Sequence, residues 1–411
     1  MKRFAPWTLL IVTVLVIVAP LAFAAATAQP AAATRSDRSP AAPIATALST
    51  ITGVAISPLL GTGAYGMYQW LKADEAARPN LPWYTKPSFW IPALLVVGIC
   101  AAKDAFGATV PTGLKKPLDV LETIENKFSG LIAAGAVVPF AIDAMSKMIF
   151  DSAAPPTAGS MIVGTSGLAT IQFAAMDVTW LINLLTVPFG IAVFLLVWLG
   201  SHAINVLILL SPWGAIDAAL KVARTALLGL VTLSATLNPW VGAALSIAVI
   251  VVAYFVSGWA FRLTVFGAVY CWEFVTRRRR RFAPTENENR MFAGSAFSVV
   301  PVRTYGRLQR RADGVLEFAY RPWLVGQPKI VCVDCETRAL AVGEGALFSD
   351  IVDENDRTLF SLPPRYRGHE TIVVNVYVFG GGVRPAGLRK AWGVLREMVG
   401  GRAVKREALT A

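Results

Sequence analysis

Phe274-Val275-Thr276-Arg277-Arg278-Arg279-Arg280-Arg281 joins the two parts of this chain. Ahead of it lie long apolar runs; behind it the sequence turns polar and alternating. An arginine block abutting an apolar span resists translocation, and Lys/Arg bias fixes the orientation of a membrane segment. The junction therefore predicts a membrane region before residue 277 and a water-exposed, cytoplasmic region after it.

Composition agrees. Of 411 residues, 55% are hydrophobic and 16% charged, against roughly 45–50% and 25% in soluble domains. The net charge of +12 is uneven: residues 277–411 hold 23 Lys/Arg and 14 Asp/Glu, and residues 1–276 hold 15 and 12. Basic segments of this kind are drawn to anionic headgroups, so Arg277, Arg278, Arg279, Arg280 and Arg281 are the candidate lipid headgroup contacts. The partners expected are an anionic lipid bilayer, a membrane or cytoplasmic protein, and a second copy of the chain. Nucleic acid is not expected, because no nucleic-acid-binding motif accompanies the basicity.

Residues 1–28 have the form of a secretory signal: Lys2 and Arg3, an apolar core from Trp7 to Phe23, then Ala26-Thr27-Ala28 before Gln29. Residues 29–43 read as an external linker. A membrane bundle of about five to seven helices follows over 44–276. Ile44–Leu71 is its first expected span, and Ser88–Ala102 is apolar but short for a crossing. Leu118, Leu121, Ile124, Phe128 and Leu131 recur at helical spacing, with Asp119, Glu122 and Asn126 on another face. Trp180–Leu210 is long enough to cross even with Pro188 inside it. Asp217, Lys221 and Arg224 punctuate the next helix, and Asn238-Pro239 breaks the run after it. Val241–Trp259 reads as a span, and Phe261–Thr276 as a last apolar piece.

Residues 277–289 form a basic juxtamembrane linker, 290–401 a small mainly-β domain, and 402–411 a tail. Phe297–Val302, Val315–Tyr320, Lys329–Val333, Thr358–Leu362 and Thr371–Val378 read as short strands within a set of six or seven. Leu388, Trp392, Leu395 and Val399 share one face of a C-terminal helix.

Two resemblances accompany this reading. The strand series with its capping helix, carried by Tyr320-Arg321-Pro322-Trp323-Leu324-Val325 and Leu362-Pro363-Pro364, resembles bacterial pleckstrin-homology-like domains. That resemblance implies a module that binds lipid headgroups, peptides or neighbouring proteins. Ala101-Ala102-Lys103-Asp104-Ala105-Phe106-Gly107, Val110-Pro111 and Lys115-Lys116-Pro117-Leu118-Asp119 resemble an uncharacterised family of multi-pass bacterial membrane proteins over about residues 50–140. It implies a multi-pass bacterial membrane protein, and the family has no established activity to carry over.

Chemistry-bearing residues are few. Asp143, Asp177, His202 and Asn205 fall inside apolar runs. A carboxylate there must find a partner or take up a proton, and the His202–Asn205 pair reads as a polar pair bonding a neighbouring helix or as a proton relay near neutral pH. Arg262 is a candidate partner for the acids. Lys103, Asp104, Asp119, Glu122 and Asn126 form a polar cluster at the membrane interface, readable as a cation or proton path or as a solvated helix face. Gly61-Thr62-Gly63-Ala64-Tyr65-Gly66 fits G-x-G-x-x-G but sits in a helix, where close packing of small residues explains it better than nucleotide binding. Cys332 and Cys335 are half of a zinc site at most, because further ligands are wanting. With two histidines, no G-x-S-x-G and no H-E-x-x-H, no catalytic set is legible. No cofactor or metal is expected, and the chain reads as a non-enzyme with an organising or regulatory role. A transporter or channel for a proton, cation or small solute is the alternative.

Overall fold

The computed structural model describes residues 42–105, 112–153, 179–210, 214–285, 288–297, 299–311, 313–333, 340–345 and 348–386. The chain divides into two compact units, one ending at Ala260 and the other beginning at Phe261. The expected signal, the linker, Asp177, Cys335 and the C-terminal helix over 388–399 lie outside the described residues.

The first unit is helical. Its elements are α1 (Ala42–Ile56), α2 (Pro58–Lys72), α3 (Pro87–Ala105), α4 (Thr112–Ile132), α5 (Val138–Ala153), α6 (Thr179–Leu210), α7 (Gly214–Leu237) and most of α8 (Pro239–Val275). Among the described residues, four stretches are long and apolar enough to cross a membrane: Asp119–Ser146, Asn183–Leu210, Ala219–Leu237 and Pro239–Val275. This is fewer than the five to seven helices expected from the sequence, and the chain reads as a membrane protein on these four.

The expected first span, Ile44–Leu71, is two helices instead of one. Pro58 has no N–H to continue the ladder of α1, and it becomes the first residue of a new helix with Ser57 at the N-cap position. The turn is sharp: a Cβ added at Gly61 would lie 2.8 Å from Val54 Cα. Seven residues along a straight helix span about 10 Å. The same device recurs at Asn238-Pro239, where a Cβ at Gly242 would lie 2.6 Å from Ala235 Cα. Both corners place proline first in the new helix and glycine three residues later, at the close approach.

α4 and α5 are one helix interrupted by a π turn at Ala133–Val137. Pro139 lacks the N–H that would bond Gly135, and the wider turn sits where that ladder is broken. Val54, Ala133, Val137, Val138, Phe194, Val197 and Val231 form the buried centre of this unit. The G-x-G-x-x-G segment packs within α2: Gly63 lies against Leu94 and Ala93, and Gly66 against the Tyr84 carbonyl.

The second unit holds the last turns of α8 and one eight-stranded sheet. Its strands are β1 (Glu288–Ala293), β2 (Tyr305–Arg310), β3 (Leu316–Tyr320), β4 (Lys329–Cys332), β5 (Ala341–Glu344), β6 (Ser349–Val352), β7 (Thr358–Leu362) and β8 (Val383–Pro385). The order is β4-β3-β2-β1-β7-β6-β5-β8, antiparallel except for β5 with β8. Val315–Tyr320, Lys329–Val333 and Thr358–Leu362 are strands as expected, within a residue at each end. Eight strands replace the expected six or seven.

Two expectations fail. Described residues of Phe297–Val302 are loop, although Phe297 and Val300 are buried. Thr371–Val378 is helical: α9 spans Glu370–Tyr377 and ends at Val378 in the left-handed region, φ 57°. Its β-branched residues favour a strand locally. Yet Glu370, Val373 and Tyr377 are the buried ones, a helical spacing, and Tyr377 donates from its hydroxyl to the Leu308 carbonyl at 2.9 Å. Phe297, Phe318 and Phe360 meet with ring centroids 5.1–5.8 Å apart at the centre of the sheet's core.

Candidate functional site

The densest polar chemistry of the helical unit gathers where α1 ends. The chain turns at Ser57-Pro58, which leaves the Ile56 carbonyl at the C-terminus of α1 open to side-chain donors. Two side chains reach it. Ser201 Oγ donates at 2.5 Å and Arg224 Nε at 2.9 Å. A guanidinium at a helix C-terminus is also favoured by the helix dipole. Arg224 Nη1 donates to Asn205 Oδ1, and Glu122 and Glu125 place their charges close enough to act on it. Lys221, one turn before Arg224 on α7, lies 3.2 Å from Glu122.

His202 completes the cluster. It is fully buried, stacks on Trp198 with centroids 5.0 Å apart, and holds Asn126 Oδ1 2.9 Å from its Nδ1. With a carbonyl oxygen opposite, Nδ1 carries the proton and Nε2 of the neutral ring presents a lone pair. Trp198 Nε1 donates to the Asn126 carbonyl at 3.4 Å. Gly130 makes room for that indole, since a Cβ there would collide with it.

The sequence-predicted residues separate into groups. Asn126 of the interfacial cluster meets His202 of the membrane set, and Glu122 and Asn205 are joined to it through Lys221 and Arg224 of α7, although the sequence treated the two sets as distinct. Asp119 is buried on the same helix, its backbone carbonyl bonded by Thr123 Oγ1 at 2.8 Å. Lys103 and Asp104 end α3, and their side chains lie outside the described residues. Asp143 belongs to a second polar level: its Oδ1 accepts from Asn183 Nδ2 at 2.8 Å, and Asn183 Oδ1 accepts from Ser146 at 2.7 Å. Seventeen residues separate Asn126 from Asp143, about 25 Å of helix. Arg262, a candidate partner for the acids, donates instead to the Val302 carbonyl at 3.1 Å.

Arg224 and Lys221 are functional candidates that the sequence reading passed over as mere punctuation. Their signal was present: Asp217, Lys221 and Arg224 fall at i, i+4 and i+7, one face of α7. Inside the cluster His202 Nε2, Asn205 Nδ2 and Glu125 Oε1 are buried and have no hydrogen-bond partner among the described residues. Such atoms are expensive unless something polar meets them.

The second unit has its own polar site. A cleft of about 840 Å³ is lined by Glu273, Arg278, Glu288, Asn289, Arg290, Tyr305, Arg365 and Tyr366 among others. Glu273 and Arg365 form a buried ion pair there, and Arg365 Nη2 donates to Tyr305 Oη at 3.0 Å. Arg277 to Arg281 are all exposed, the last four in a 3-10 turn. Cys332 is a free, exposed thiol. No group of three or more His, Cys, Asp or Glu side chains able to hold a metal occurs among the described residues.

Comparison with family models, with curated proteins and with solved structures returned no match. Function therefore rests on the chemistry above.

Proposed function

We propose that this chain is a multi-pass protein of the bacterial inner membrane with an organising or regulatory role, whose β unit docks on lipid headgroups or a protein partner at the cytoplasmic face. The observation that carries the reading is the course of α8. It is one unbroken helix of 37 residues, and its residues Leu263, Phe266, Tyr270 and Glu273 are buried, with Phe266 tilted against Phe292 at 4.6 Å. A helix that is apolar at one end and packed in the β unit at the other attaches that unit to the bilayer. Arg277 to Arg281 favour the cytoplasmic side for that end. The resemblance of the tail to pleckstrin-homology-like domains points to docking as well.

The test is photo-crosslinking in intact cells, with the reactive group placed at exposed Arg307, Asp356 or Ile372 of the full chain. Reproducible lipid or protein adducts confined to one of these faces are expected. Adducts from none of them, or accessibility of Arg279→Cys to an impermeant thiol reagent from the outer side, would overturn the reading.

Transport is the second reading, and a specific observation favours it. His202 Nε2, Asn205 Nδ2 and Glu125 Oε1 surround Arg224 as buried atoms that a proton, water or solute would satisfy. Reconstituted full-length protein should then show a flux that His202→Phe and Glu125→Gln remove. Flux absent from the wild-type protein, or unchanged in both variants, leaves the cluster as interhelical glue.

A further inference from the structure

The arginine block is not the part of the β unit best placed to meet lipid. A hydrocarbon core of about 30 Å needs about 20 helical residues, and counted from Pro239 these reach Gly258. Over that stretch Val241, Ile247, Val252 and Phe255 are exposed apolar side chains. From Leu263 onward one face of α8, with Leu263, Phe266 and Tyr270, is buried in the β unit, so the stretch open to lipid on all sides ends at about Trp259 to Arg262. Arg277 follows Arg262 by fifteen residues, about 22 Å of helix. That exceeds twice the Debye length of about 8 Å at physiological salt.

What does stand at the level of Phe261 and Arg262 is the β3–β4 hairpin. Every residue from Arg321 to Ile330 is exposed. Its tip, Pro322-Trp323-Leu324-Val325, is apolar, with Trp323 53%, Leu324 46% and Val325 71% exposed. Trp323 packs on Phe261 with centroids 4.9 Å apart. Beside it the β1–β2 loop exposes Val299 and Val302, and Arg262 donates to the Val302 carbonyl. Leu324 holds φ 62°, a strained choice for a γ-branched residue that turns an apolar side chain outward. Arg321 and Lys329 flank the tip, as Tyr320 and Lys329 are register partners. An apolar tip between cations suits one surface, the headgroup region of an anionic leaflet.

We infer that the Pro322–Val325 tip inserts into the anionic leaflet from which α8 emerges, with Arg321 and Lys329 meeting lipid phosphates. The inference rests on the reading that α8 crosses the membrane. It moves headgroup contact away from Arg277–Arg281, and it makes the hairpin a second attachment that fixes the β unit's orientation on the bilayer.

The test uses full-length protein with its native cysteines replaced, reconstituted in vesicles of phosphatidylcholine with or without phosphatidylglycerol. An environment-sensitive fluorophore is placed at Leu324→Cys or, for comparison, at Arg279→Cys. The 324 probe should emit to the blue of the 279 probe and be quenched severalfold more strongly by spin-labelled lipid. Phosphatidylglycerol should deepen that quenching, and Arg321→Glu with Lys329→Glu should reverse the increase. Quenching at 279 but not at 324 would overturn the inference and place the membrane boundary at the arginine block. A 324 probe shielded from water but unquenched by lipid would also overturn it, assigning the tip to a protein partner. A water-like 324 probe alongside retained crosslinks from the β unit would sink the lipid contact and leave the docking role standing.

Discussion

Glu273 and Arg365 form an ion pair in the second unit, Oε1 to Nε 3.4 Å, with side chains 2% and 6% exposed. The Nε lacks hydrogen-bond geometry toward that oxygen, but the backbone N–H of Arg365 donates to the other, Oε2, at 3.0 Å. One carboxylate thus grips both the side chain and the main chain of the segment after β7. Arg365 then reaches Tyr305 on β2, joining three parts of the unit through one cation. Removing one partner strands a buried charge, which costs about 3–5 kcal/mol, whereas replacing both by apolar groups is often neutral. Glu273→Ala should therefore lower the thermal midpoint of the detergent-solubilised full-length protein strongly. Glu273→Leu combined with Arg365→Met should recover most of the loss. Equal loss in the single and double variants would mean that Tyr305 and the backbone contact, not the charge pair, hold the segment.

Arg224 serves two acceptors on different helices, the Ile56 carbonyl of α1 and Asn205 of α6. Arg224→Met would leave the Asn205 amide oxygen short of a donor, a loss of about 1–3 kcal/mol, and the Ile56 carbonyl with Ser201 alone, a smaller loss. Lysine should not restore it, because one ammonium lacks the planar fork that reaches both acceptors. Thermal unfolding of the three proteins in the same detergent checks this. A lysine variant as stable as wild type would show that charge alone, and not the fork, matters at this helix end.

The membrane half was legible where a single period or a long apolar run decided the outcome. Thr179–Leu210 matches its apolar run within a residue, and the Asp119/Glu122/Asn126 face followed from helical spacing. What spacing could not supply was the partner. The Asn126–His202 contact joins residues 76 apart, and nothing local to either announces the other. The corner at Ser57-Pro58 was missed because hydropathy is continuous across it; only the close approach of Gly61 to Val54 reveals the bend. In the β unit, Thr371–Val378 misled because β-branched residues favour a strand in isolation, while the burial of Val373 and Tyr377 rewards a helix. Tertiary contact overrode local preference there. The strands β5 and β6 are four residues each, too short for alternation to stand out.

The two corners offer a matched experiment. Alanine at Gly61 would press a methyl 2.8 Å from Val54 Cα, and at Gly242 2.5 Å from Ala235 Cβ and 2.6 Å from its Cα. Backbone cannot yield as a side chain does, so each substitution should cost about 1–3 kcal/mol. Gly98 is the control. It lies in the interior of α3, and an added Cβ meets nothing within 4 Å. Alanine there should be neutral or stabilising by up to about 1 kcal/mol, from helix propensity. Thermal midpoints of the three variants should place Gly98→Ala at or above wild type and the other two below it. Three equal values would show that the corners relax without cost.

Asp350 makes the stability of the β unit depend on pH in a direction opposite to that of most acids. It sits on β6 opposite Gly343 and Ser361, and its Oδ1 is buried without a partner. Burial raises its pKa from 3.8 to about 6, and a hydrogen bond from Ser361 opposes the rise. Below about pH 4 the carboxyl is protonated in folded and unfolded chains alike and contributes no difference. Between about 4 and 6 the unfolded chain releases the proton first, so stability falls as pH rises, and above 6 the full penalty persists. At 1.36 kcal/mol per unit, the penalty is about 2–3 kcal/mol before allowing for partial exposure. Asp350→Asn keeps the shape and removes the charge. It should stabilise the full-length protein at pH 7.5, leave it nearly unchanged at pH 4, and flatten that part of the stability profile between them. A variant whose thermal midpoint tracks wild type at both pH values would show that Asp350 is solvated in the folded protein.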